Sequence, residues 1–199
     1  EHENGVGGWC RGFECGWHRD LIGGGRVGPG KVAQNEQSMW VQNDHGVVKD
    51  VTAQTAPGLS SGGIVNAAAW EDIDGDKTKE LVIAGEWMPV MIFKLKDGRF
   101  VNEEKLVSVA TNTGDRNISL SSLTGWWNCM KLEDVDNDGD LDIIVGNRGL
   151  NSRISAGIDE PCTVYAKDFD NNGSYDAVLG YYIQGKCYPM YHRDQLIDQ

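Results

Sequence analysis

Three short stretches of this chain place oxygen-bearing side chains at alternate positions. They are Asp72, Asp74, Asp76 and Glu80; Asp134, Asp136, Asp138 and Asp142; and Asp168, Asp170, Asn172 and Asp176. Alternate side chains converge where the backbone turns, so such a loop can wrap one ion. A backbone carbonyl at the seventh position, from Thr78, Asp140 or Ser174, completes a pattern of oxygens at positions one, three, five, seven and nine. Calcium is a hard cation that takes about six to eight oxygens, several of them charged. The pattern therefore points to about three calcium ions. Each would be saturated by loop oxygens, leaving no open position for a substrate, so a structural role is expected. Magnesium fits less well, because it keeps several waters and binds through one or two carboxylates. An EF-hand is excluded: its twelfth position needs a bidentate Glu, and those positions here are Ile83, Val145 and Leu179.

The charge of the chain is concentrated in these loops. Of a formal net charge of −12, the eleven acids at positions one, three, five and nine of the loops account for nearly all. Two unit charges about 4 Å apart repel by roughly 4 kcal/mol at an effective dielectric near 20. A polar turn without a cation would gain nothing for that repulsion. The same acidity disfavours nucleic acid, whose phosphates need a basic face.

Each loop is followed by a short apolar run ending near glycine: Leu81 to Gly85, Ile143 to Gly146, and Ala177 to Gly180. These runs are rich in β-branched residues and do not alternate with polar ones, so they read as strands buried on both faces. Around the first loop a whole unit is visible. Val65 to Glu71 enters the loop, Leu81 to Glu86 leaves it, Val90 to Lys94 follows Pro89, and Phe100 to Glu103 returns after an Asp97-Gly98 hairpin turn. Four short antiparallel strands per unit make the blade of a β-propeller. An earlier tail repeats the end of that pattern, with strands Ser38 to Gln42 and Val47 to Thr52 about a turn at residues 43–46. Asp20 to Gly24 resembles the exit of a further loop, whose positions one, three and five would be Gly12, Glu14 and Gly16. With one acid only, that loop should hold no calcium. The spacing is 60 residues from Asp20 to Glu80, 62 from Asp72 to Asp134, but 34 from Asp134 to Asp168. The third unit is thus compact or has lost strands. The units fall approximately at 17–60, 61–115, 124–160 and 161–199, with residues 1–16 atypical.

The chain is expected to be all-β, a propeller fragment of three to four blades with sheets of up to four strands. No stretch shows sustained helical periodicity, and Glu103 to Ala110 could form a helical turn or two at most. The 26 glycines and five prolines suit a fold of many tight turns, and 40% hydrophobic residues suit a folded core. No apolar run is long enough to span a membrane, and no signal peptide is visible: residue 1 already lies in glycine-rich, domain-like sequence, which says nothing of a precursor. Five cysteines match no disulfide framework. Cys10, Cys15 and His18 could pass for half a zinc site, but no second half follows.

Asp134 to Asp142, followed by Ile143-Ile144-Val145-Gly146-Asn147, resembles the pattern of the FG-GAP/VCBS repeat proteins, whose propeller is similar to that of the integrin α-subunit head. The runs Gly85 to Pro89 and Tyr181 to Lys186 share the resemblance, which covers about residues 17–199. It implies calcium-stabilised blades of a bacterial surface protein, a seven-bladed parent, and an extracellular, outer-surface or periplasmic address. Three to four units are too few to close such a ring.

Two functions are weighed. One is a non-catalytic module that binds a glycan or protein ligand, with Trp126, Trp127, Tyr181 and Tyr182 as stacking surfaces. Packing between blades is the competing use of those aromatics. The other is a propeller-based polysaccharide lyase or hydrolase, supported by His192, Arg193 and Asp194 and the abundant carboxylates. Residues two apart share a strand face, so His192 and Asp194 could act together. No nucleophile motif, phosphate loop or catalytic metal pattern occurs.

Overall fold

A computed structural model describes residues 13–14, 19–25, 37–111, 114–149, 152, 154–173 and 175–192. These are predominantly β-strand, in repeated antiparallel sheets. They divide into two compact units, one reaching residue 147 and one beginning at residue 148. None of the described helices is long and apolar enough to cross a membrane.

The first unit opens with β1 (Phe13–Glu14), β2 (Arg19–Gly23), β3 (Met39–Asp44) and β4 (Val47–Asp50), paired in that order. The β3–β4 turn carries His45 at φ 53° and Gly46 at φ 89°. Two central residues at positive φ match the right-handed twist of the strands they join. A short helix, α1 (Thr52–Thr55), and a 3-10 turn at Pro57–Ser61 lead into β5 (Ile64–Glu71). Then follow β6 (Glu80–Met88), β7 (Met91–Lys96) and β8 (Arg99–Asn102), the last two joined through Asp97 (φ 50°) and Gly98 (φ 75°) as the Asp-Gly pair requires.

The strand β6 organises this unit. Leu81, Val82, Ile83 and Ala84 are all fully buried, as expected for a strand covered on both faces. Because alternate side chains point oppositely, Leu81 and Ile83 join a core with Ile22, Trp40, Leu59, Phe93 and Phe100. Val82 and Ala84 join a second core with Val90 and Ile92, against which Trp127, Met130, Leu132 and Ile143 pack. Trp40, Trp70 and Phe100 interlock in the first core, with ring centroids 4.5–6.3 Å apart. Full burial of such side chains is worth about 1.5–3 kcal/mol each. At Gly85 the neighbouring strand comes very close, for a Cβ there would stand 1.9 Å from the Ile64 carbonyl oxygen.

Three expectations are corrected. Residues 103–110 are not helical: they run extended into β9 (Leu106–Thr111), which pairs with β10 (Gly114–Ser119) as a separate two-stranded sheet. Alternation in Leu106-Val-Ser-Val-Ala-Thr111 gives β9 one half-buried face, a period-two pattern that favours a strand. Sheets are not limited to four strands. β11 (Gly125–Glu133) and β12 (Asp142–Asn147) join the β5–β8 sheet through β11, where Gly125 and Trp126 pair with Met88 and Glu86, making six strands. The cause is the length of β6, whose end at residues 86–88 passes beyond its β7 partner and is free to pair again. Finally, burial on both faces holds for β6 but not for β12, where Ile144 is 46% exposed. Ile143 and Val145 pack against the second core, and the opposite face of β12, which carries Ile144, meets solvent.

The second unit contains a three-stranded antiparallel sheet of β13 (Thr163–Lys167), β14 (Asp176–Ile183) and β15 (Lys186–Pro189). Its β14–β15 turn places Gln184 at φ 51° and Gly185 at φ 77°, repeating the geometry of the two earlier hairpins.

Candidate metal centres

Each acidic loop links two paired strands: β5 to β6, β11 to β12, and β13 to β14. The loop-flanking pairs are Glu71 with Glu80, Glu133 with Asp142, and Lys167 with Asp176. Eight residues in each case cross from one strand to the next, and they fold alike. Positions four and six lie at positive φ: Gly75 and Lys77 (73° and 71°), Asn137 and Gly139 (61° and 100°), Asn171 and Gly173 (60° and 90°). Glycine and asparagine tolerate this conformation best, so five of the six residues suit it and Lys77 does not.

The hydrogen bonds repeat as well. The ninth carboxylate accepts the second residue's N–H: Glu80 from Ile73 at 3.1 Å, Asp142 from Val135 at 3.0 Å, Asp176 from Phe169 at 3.0 Å. The first carboxylate accepts the sixth N–H: Asp72 from Lys77 at 2.8 Å, Asp134 from Gly139 at 3.1 Å, Asp168 from Gly173 at 3.0 Å. The third accepts the fifth N–H: Asp74 from Asp76, Asp136 from Asp138, and Asp170 from Asn172. Asp76 and Asp138 accept in turn from Thr78 and Asp140. Ser174, the corresponding residue of the third loop, lies outside the described residues.

This wiring turns one oxygen of each first, third and ninth residue toward a common point. Within each of the sets Asp72, Asp74, Glu80; Asp134, Asp136, Asp142; and Asp168, Asp170, Asp176, one carboxylate oxygen per residue lies within 4.8 Å of the others. Asp72 Oδ1, Glu80 Oε1 and Asp134 Oδ1 are buried and accept no hydrogen bond. Glu80 is only 1% exposed. A buried carboxylate oxygen without a donor is costly unless a cation faces it. All donors are hard oxygens, so the three clusters can coordinate a divalent cation.

In the first loop a protein cation is already close. Lys94 Nζ stands 2.8 Å from Asp74 Oδ2 and 2.5 Å from Asp76 Oδ2. Those two bonds hold the Lys94 ammonium pKa well above the ordinary lysine value. Hydrogen bonding from Lys94 likewise lowers the Asp74 and Asp76 carboxyls below 3.8. No local signal in the sequence ties Lys94 to this loop, since it lies fourteen residues beyond Glu80 and only strand register brings it back.

The loop before Asp20 is shorter. Its innermost pair is Glu14 with Arg19, which leaves four residues between the strands where each acidic loop has eight. Asp20 Oδ1 accepts from the Asn43 N–H across the sheet, at 3.0 Å. Gly12 and Gly16 lie outside the described residues, as do Cys10, Cys15 and His18.

The aromatic residues separate. Trp127 packs into the second core and donates its Nε1–H to the Met88 carbonyl at 3.1 Å. Trp126 instead meets Trp87, centroids 5.3 Å apart, and Trp87 holds a positive φ of 60° that a bulky residue rarely adopts. Tyr181 and Tyr182 lie side by side on β14 opposite Tyr188 and Cys187, so they point to opposite sheet faces. His192 is exposed, while Arg193 and Asp194 lie outside the described residues. The described cysteines, Cys129, Cys162 and Cys187, are free thiols. Burial, and then nearby Cys187, push the Cys162 thiol above 9.0, away from the reactive thiolate.

Comparison with known protein families matches residues 72–145 to the FG-GAP-like repeat family. That segment runs from the first ligand of the first loop to the exit strand of the second. No curated protein and no solved structure matches the chain.

Proposed function

We propose that the chain is part of a calcium-stabilised extracellular β-propeller, a non-catalytic binding or scaffold module for a glycan or protein ligand. The observation that carries the calcium assignment is the threefold repetition of one hydrogen-bond wiring that ends in converging carboxylate oxygens, three of them buried without a donor. Asp72, Asp74, Asp76 and Glu80 would hold the first ion, Asp134, Asp136, Asp138 and Asp142 the second, and Asp168, Asp170, Asn172 and Asp176 the third. The carbonyls of Thr78, Asp140 and Ser174 would complete the shells. Each ion ties the end of one strand to the start of the next, and so fixes the strand register around the loop.

The family match over residues 72–145 supports blade-like repeats. So does the four-stranded order β5-β6-β7-β8, in which each strand pairs with the next. An extracellular or periplasmic address accords with calcium as the ion, since extracellular calcium modules work at roughly 10⁻⁴–10⁻³ M. Shells filled by loop oxygens leave no position for a reacting group, which favours binding over catalysis. Trp87 and Trp126 form the aromatic pair best placed to stack on a sugar, at the end of β6 where β11 joins. A glycan array run beside a lyase and hydrolase screen on the full-length protein tests the module reading. Binding without turnover is expected; turnover abolished by His192→Ala would overturn it in favour of the enzyme.

A further inference from the structure

The first loop differs from the second in what faces its oxygens. Lys94 lies on β7, one residue past Phe93, the partner of Leu81, and this register carries its side chain to the level of Glu80. Its Nζ touches positions three and five of the loop, Asp74 and Asp76, and stands 3.4 Å from Glu80 Oε1 at position nine. The Lys94 side chain is 16% exposed, held within the sheet rather than extended into solvent. Its short bonds go to the two aspartates, and Glu80 Oε1, buried, still accepts no hydrogen bond. One ammonium therefore meets three of the loop's carboxylates and satisfies two. Among the described residues, no lysine or arginine is ion-paired with Asp134, Asp136, Asp138 or Asp142, although the second loop has the same wiring.

Resting on the calcium reading above, we propose that Lys94 is a tethered counter-ion that fills the cation position of the first loop and competes with calcium for it, so that the first loop is a weak site and the second a strong one. The chemistry of the two cations supports this. An ammonium brings one charge and three N–H donors; calcium brings two charges and takes more oxygens. A group tethered on the adjacent strand acts at a high effective concentration. Calcium enters the first loop only in the fraction of molecules where Lys94 has swung away, and its apparent affinity falls by that fraction. At low calcium the first loop stays closed around Lys94 and the β5–β6 pairing is kept. Among the described residues, no such ammonium faces the second loop, which relies on the metal.

Calcium titration calorimetry on the 199-residue chain, repeated with Lys94→Met and Asp136→Ala, tests the proposal. The methionine keeps the length and apolar stem of lysine and removes its charge. Two affinity classes are expected for the unmodified chain. Lys94→Met should tighten one binding event tenfold or more without moving the class that Asp136→Ala deletes. Melting in chelator should show Lys94→Met less stable than the unmodified chain, and saturating calcium should close that gap. An affinity unchanged or weakened by Lys94→Met overturns the proposal. So does a Lys94→Met chain that fails to fold even in calcium, because the divalent ion should replace the lost ammonium. Absence of calcium binding at the Asp134 loop would sink the calcium assignment itself, a distinct outcome.

Discussion

Replacing Lys77 with glycine should stabilise the protein, although it removes a charged residue from an acidic loop. Lys77 is the one residue at loop position six that is not glycine: it holds φ 71°, where Gly139 and Gly173 hold 100° and 90°. A side chain in this left-handed conformation costs about 1–2 kcal/mol. Glycine also gains freedom in the unfolded chain, which offsets about 0.4–1 kcal/mol. A net gain of roughly 0.5–1 kcal/mol remains, which for a domain of this size raises Tm by about 1–4 °C. The backbone N–H that Lys77 donates to Asp72 survives the change. Thermal melts should be run in saturating calcium and about 0.15 M salt, where the exposed Lys77 charge is screened. Lys77→Ala serves as the comparison, since it loses the charge but keeps the strained backbone. If Lys77→Gly melts no higher than Lys77→Ala, the strain attributed to this position does not exist.

Gly85→Ala should break the β5–β6 pairing, because its Cβ would meet the Ile64 carbonyl oxygen at 1.9 Å; a loss of about 1–3 kcal/mol, read from urea melts, is expected, and an unchanged midpoint would show that the strands separate freely. The metal-free protein should lose stability at both pH extremes. Asp74 and Asp76 have carboxyls lowered by Lys94, so their contribution is present above 3.8 and is lost as pH falls through their lower folded values. Lys94 is raised, so its contribution is full below 10.5 and is lost as pH rises through its higher folded value. A Tm profile in chelator that matches that of Lys94→Met across this range would contradict the ion pairs.

The hairpins and the acidic loops were legible because each rests on local chemistry. His45-Gly46 and Asp97-Gly98 take positive φ readily, and the loop carboxylates cap N–H groups only a few residues away. What sequence did not give depends on distant register or on which face is covered. Lys94 reaches Asp74 only through the pairing of Phe93 with Leu81. The six-stranded sheet forms because β6 outruns β7, a length that the hydrophobic run Leu81 to Gly85 does not show. Ile144 reads like Ile83 in sequence, yet it is exposed: Ile143 and Val145 pack against the second core, and Ile144 between them points to the opposite face. The helical turn or two that residues 103–110 could form gives way to a strand, because the alternation in Leu106 to Thr111 suits the half-buried face of β9.

If calcium in the acidic loops holds this fold together, as proposed, a melt in chelator will show it. A ligand at about 100 times its dissociation constant adds roughly 2.7 kcal/mol per site, against a typical net stability of about 5–15 kcal/mol. In a sample first shown to contain calcium, chelation should lower Tm by several degrees or more. Restored calcium should recover it and equal magnesium should not, while Asp136→Ala should show part of the loss in calcium. An unchanged Tm on removing calcium from that sample would contradict the claim.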